Sequence, residues 1–153
     1  MMTEIERIED QLRRAFEGEA WHGPSIQELL ADVTAAQAAA RPLAEAHSLW
    51  EIVLHLAAWD DVVLRRLEGE SIDNPHEGDW PPVKDKSEAA WNNALEWLKN
   101  NHTQLRLTVS RLPSSRLDEP LAGSKWSAYT TLHGSIQHYL YHAGQIALLK
   151  KQG

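Results

Sequence analysis

His138 and His142 stand four residues apart in a stretch whose apolar residues recur at helical spacing. A helix advances about 100° per residue, so the two lie within about 40° of each other on one face, one turn apart. Both rings can therefore reach one cation, and imidazole is the usual ligand for zinc and suits nickel as well. The same spacing also occurs on plain polar helix surface, so the pair alone leaves both readings open. His133 projects about 140° away from His138 and is poorly placed to join it. His55 is the third candidate, at the edge of an apolar arc made by Leu49, Ile52, Val53, Leu56 and Val63. A histidine there is either a neutral core residue satisfied by one hydrogen bond or a ligand that completes a three-histidine site with an open position. Glu51, one turn earlier, is placed either to fix the tautomer of His55 from behind or to close a capping box with Ser48.

The other histidines have plainer readings. His22, in Trp21-His22-Gly23-Pro24, follows the first helix and covers a bundle end or lines a pocket. His47 precedes the Ser48 cap as a turn residue, while His76 and His102 are expected in solvent. Trp50, Trp59, Trp91 and Trp97 have helical neighbours and read as core or groove lining. Competing chemistry is missing from the sequence: there is no G-x-S-x-G elbow, no phosphate-cradling glycine loop and no H-E-x-x-H. Zero cysteines exclude disulfides, thiolate ligands and a cysteine nucleophile, so any thiol chemistry uses an outside thiol.

Fifteen basic against twenty-two acidic side chains give a formal charge of −7, the wrong sign for nucleic acid or an anionic membrane. The N-terminus mixes charges with isolated apolar residues, and no stretch approaches the ~18 apolar residues of a membrane span, so a cytoplasmic protein is expected.

The elements that must position the histidines follow from capping and periodicity. Helices are predicted near 3–17, 48–68, 87–112 and 129–150, with a short one near 25–31. The alanine-rich stretch before Pro42 reads as a connector. Residues 69–85 carry Gly69, Pro75, Gly78, Pro81 and Pro82, too broken for an element and long enough to cross between helices that are not antiparallel neighbours. The expected fold is one all-α domain over residues 1–153, a four-helix bundle. Its surplus of exposed tryptophan and leucine predicts a homodimer.

The segments Ser48-Leu-Trp-Glu-Ile-Val-Leu-His55 and His138-Tyr-Leu-Tyr-His142-Ala-Gly-Gln145-Ile resemble the two signature regions of the DinB/YfiT-like family. The resemblance spans nearly the whole chain. It implies an up-down-down-up four-helix bundle with a long crossover between its second and third main helices. It also implies a divalent-metal site held by His55, His138 and His142. Some relatives are metal-dependent transferases that activate a low-molecular-weight thiol such as bacillithiol, mycothiol or glutathione. On that reading a small-molecule electrophile is held against Trp59 and Tyr139, with Gln145 beside the metal ligands. A bound cation would lower the pKa of a coordinated thiol or water, so a metal-dependent hydrolase is the variant. The reading from another class is a noncatalytic stress-response bundle whose metal is structural.

Overall fold

Four capping boxes in the first third of the chain decide where the helices begin. In the computed structural model, which describes residues 1–152, Thr3, Ser25, Thr34 and Ser48 each accept from the backbone N–H three residues on. The side chains of Glu6, Glu28, Gln37 and Glu51 reach back to the cap N–H. Each box satisfies two otherwise orphaned donors. They open α1 (Glu4–Phe16), α2 (Ile26–Leu30), α3 (Ala35–Ala39) and α4 (Leu49–Leu67). Two further helices follow, α5 (Glu88–Ser110) and α6 (Ala128–Gln152). No strand forms among the described residues, and no helix is long and apolar enough to cross a membrane.

The alanine-rich stretch is not a bare connector. Thr34-Ala-Ala-Gln37 is itself a capping box, and Ala35 and Ala38 are buried against the rest of the protein. A five-residue helix has little intrinsic stability. This one is pinned from outside by the Ala35 N–H, which donates to Glu88 at the start of α5 (3.0 Å).

Each of the four long helices packs against two others: α4 against α5 and α6, and α1 against the same pair. Leu12, Leu56, Leu105, Leu132 and Ile146 contribute one fully buried apolar side chain or more from every wall. Truncating any of these leucines to Ala should cost about 2–5 kcal/mol. Between α4 and α5 the contacts advance in step, Trp50 against Trp91 and then Asn101 donating to the Ala57 carbonyl. Between α4 and α6 they run in opposite senses, His55 meeting His138 and His142 while Val63 and Arg66 face Thr130 and Thr131.

The segment between α4 and α5 is the part of the fold that matters most for the site. Gly69, at φ 97°, stops α4 in the left-handed conformation that glycine adopts without strain. Arg66 then holds the departing chain by donating to the carbonyls of Ile72 (2.8 Å) and Asp73 (3.2 Å). Gly123 braces it from the other side: a Cβ there would sit 2.9 Å from Ser71 Oγ and 3.0 Å from the Ile72 nitrogen. The chain so anchored passes over the second turn of α4 at Asp79 and Trp80 before Pro81 and Pro82 lead into α5.

Candidate metal centre

His55 comes from the second turn of α4, and His138 and His142 from successive turns in the middle of α6. His55 and His142 are buried and His138 is half-buried. The three rings converge: His138 Nε2 lies 2.9 Å from His55 Nε2 and 3.0 Å from His142 Nε2. One ligand atom from each falls within 4.8 Å of the others, and no further His, Cys, Asp or Glu joins the cluster among the described residues.

The outward nitrogens explain what this convergence means. His55 Nδ1 is 2.6 Å from the Asp79 carbonyl and 3.2 Å from the Asp79 carboxylate. An oxygen acceptor at that distance places the proton on Nδ1. His142 Nδ1 likewise donates to Gln145 Oε1 (2.6 Å). Both Nε2 atoms therefore carry lone pairs, and both face the third imidazole. One proton on His138 Nε2 can satisfy only one of them, whereas a cation at the centre satisfies all three. The donor set thus fits a divalent ion held by neutral imidazoles, with Asp79 and Gln145 fixing the tautomers from behind.

Electrostatics favours the same protonation state. Burial lowers the pKa of His55 against the opposing pull of Asp79, and lowers that of His142 against Gln145. His138 is pushed down to about 3, first by burial and then by its two imidazole neighbours. The rings are accordingly neutral near pH 7, the state in which imidazole ligates.

Trp80 roofs the cluster. Its indole stacks on His55 (3.9 Å between centroids, 9° between planes) and carries His47 stacked on its other side (3.5 Å, 8°). Asp79 accepts from Trp59 Nε1 (2.7 Å), tying α4 to the same loop. Neither Asp79 nor Trp80 stands out in the sequence by motif. The available signal was a large aromatic residue in an otherwise polar, proline-broken loop, which has no reason to be there unless it packs on something.

Other expected site residues fall elsewhere. Glu51 does not face His55: its carboxylate closes the Ser48 cap (2.7 Å) and pairs with Arg41 (2.5 Å), with His47 Nδ1 at 3.6 Å. The capping role wins because the carboxylate already satisfies a backbone donor and an arginine. Tyr139 offers no face to a substrate, being fully buried with its hydroxyl donating to Asp60 (2.6 Å) and in contact with His102 Nδ1 (2.9 Å). Adjacent to His138 in the chain, it points about 100° away, into the core. His102 is therefore not solvated but completely buried, stacked on Phe16 (4.2 Å). His22 is exposed in the turn after α1 and lines neither cavity beside the triad. Trp59 does line one of them, and Gln145 the other.

Those two cavities reach the triad from different histidines. One of about 400 Å³ ends at His138 and is walled by Trp59, Asp60, Arg66, Trp126 and Thr131. The other, of about 480 Å³, ends at His142 and is walled by His47, Trp80, Tyr141, Gln145 and Leu148. Both are in the range of small-molecule sites. Three inward histidines on two helices, roofed by a loop and open on two sides, define a helical protein whose donor set fits a divalent ion. The sequence model of the DinB superfamily matches residues 20–146, and the chain belongs to that superfamily. No curated protein and no solved structure matches it.

Proposed function

We propose that this protein is a metal-dependent transferase that brings a low-molecular-weight thiol to a small electrophile at an open three-histidine site. The observation that carries the proposal is the convergence of three imidazole Nε2 atoms between two small-molecule cavities, with no fourth ligand among the described residues. A closed sphere would favour a structural ion; an open one beside cavities favours chemistry. Zinc is the proposed ion, with nickel the competitor for an all-imidazole set. When bound, the cation supplies the positive charge that favours thiolate over thiol near neutral pH.

The chain's own residues do the remaining work. His55, His138 and His142 hold the ion as neutral donors. Asp79 and Gln145 keep their Nδ1 protons in place, and Trp80 keeps water off the His55 face. Trp59 offers an aromatic wall to the molecule beside His138. In-step contacts of α4 with α5, and opposed ones of α4 with α6, support reading the bundle as up-down-down-up. A homodimer belongs to the same proposal, supported by large apolar side chains left in solvent, Trp21 and Tyr129 among them. Sedimentation at micromolar concentration should then give twice the chain's mass.

The test is metal analysis of protein purified without an affinity tag, followed by a thiol-transfer screen with the metal found. Metal-dependent consumption of thiol and electrophile together is expected. A tightly bound ion with no transfer to any electrophile, and no thiol-dependent change at the metal, would favour the structural role instead.

A further inference from the structure

The two cavities differ in chemistry, and the difference assigns their occupants. On the His138 side Thr130, Thr131, Ser135 and Gln137 present hydroxyls and an amide among the apolar faces of Trp59, Val63 and Trp126, with the Arg66 guanidinium engaged by the Ile72 and Asp73 carbonyls. Gly134 lies on this wall, one turn before His138, in the interior of α6. A Cβ built there meets nothing within 4 Å. Glycine costs a helix stability, and no close packing at this position requires it. Its effect is to keep the wall beside His138 open.

On the His142 side the wall is Leu43, Ile52, Trp80, Tyr141, Leu148 and Leu149, with the polar edges of His47, Glu45 and Gln145. The His47 ring is already stacked on Trp80, Glu45 is exposed, and Gln145 is occupied by His142. Three of the apolar residues remain largely in solvent: Tyr141 is 65% exposed, Leu148 63% and Leu43 48%. Covering such surface is favourable in proportion to its area. Trp80 and His142 belong both to this wall and to the metal centre, so a molecule lodged there ends at the triad.

We propose that the His142-side cavity seats the apolar partner of the reaction, a neutral aromatic or alkyl electrophile, while the thiol enters on the more hydroxylated His138 side. This assignment rests on the transferase reading for its chemistry but not for its binding geometry. The thiol gives up its proton to solvent and its sulfur forms a bond to the electrophilic carbon. The carbon's bond to its leaving group breaks in the same exchange, and that group departs with the electron pair.

The experiment uses the full chain, with and without zinc, and N-phenyl-1-naphthylamine, a neutral fluorophore that brightens in apolar surroundings. Wild type should bind it saturably. Ala46 also lines the His142-side cavity; Ala46→Trp, which fills it, and Leu148→Lys, which charges its wall, should each weaken binding at least tenfold, whereas Gly134→Leu in the His138-side cavity should leave it within twofold. Zinc titration of each variant shows whether the triad and fold survive; a variant that no longer binds zinc is replaced in the comparison by the other. Probe binding that both cavity variants leave intact overturns the proposal. So does a wild-type dimer that Leu148→Lys converts to monomer while the probe fails to bind, since a second copy would then cover this face. Probe bound in the expected cavity with no thiol transfer would sink the transferase reading and leave the apolar site standing.

Discussion

The same two helices carry two buried polar clusters built on opposite principles. His55 on α4 and His138 with His142 on α6 point lone pairs at one another. Asp60 on α4 and Tyr139 on α6, a few residues away, form a matched string in which the Tyr139 hydroxyl donates to Asp60 and contacts His102. In the second cluster donor meets acceptor at both links, His102 Nε2 alone being left buried without a partner, and phenol, imidazole and the Phe16 ring pack as core. In the first, a proton on His138 Nε2 serves only one of the two lone pairs that face it, and the acceptor left over costs free energy until something positive sits between. Burial and the presence of histidine are common to both. What separates the two clusters is whether the atoms that face each other are complementary without a cation.

That contrast can be broken most forcefully at the ligands. Replacing His55, His138 or His142 by Ala should lower zinc affinity by more than about 100-fold, above the usual loss for an outer partner, with helical content retained by circular dichroism. His102→Ala should do the reverse, leaving zinc affinity within a few-fold while costing about 1–3 kcal/mol in urea denaturation, because Tyr139 loses a buried partner. Tyr139→Phe should cost a similar ~1–3 kcal/mol by stranding Asp60 and His102.

A pH series on metal-free protein sharpens the same division. Burial raises the Asp60 pKa to about 8, with the Tyr139 hydrogen bond opposing. The folded state then holds a proton that the unfolded state has lost, so this residue's contribution to stability falls as pH rises from about 4 to 8. Asp60→Asn should flatten that slope. Burial lowers His102 to about 3, so its contribution is full above about 6.5 and is lost as pH falls toward 3. The smallest effect is expected at Asp79→Ala, where the backbone carbonyl still holds His55 Nδ1. Zinc affinity should drop by about 10-fold at most, with Trp59 fluorescence altered by loss of its acceptor.

Helix positions were legible because their signals are local. Ser48 with Glu51, and the apolar spacing of Leu132, Ile136 and Leu140, need no knowledge of the rest of the chain. The Thr34 box obeyed the same rule and was obscured by the alanines around it. His138 and His142 were legible as a pair for the same local reason, while linking them to His55 took a resemblance to a family. Asp79, Trp80 and His102 were not legible. Their roles depend on where a long loop lands and which way one helix turns, and those are decided by packing across 24 and 37 residues of sequence. Glu51 shows the converse: two local roles were open, and Arg41 chose between them.

The claim beneath all of this is that three histidines from two helices hold one divalent ion and leave it room. X-ray absorption on untagged protein loaded with one equivalent of zinc tests it most directly. The account predicts three imidazole nitrogens at about 2.0–2.1 Å and at least one lighter, exchangeable ligand whose scattering changes when a thiol is added. A spectrum without imidazole scattering, or one that His55→Ala leaves unchanged, would contradict it.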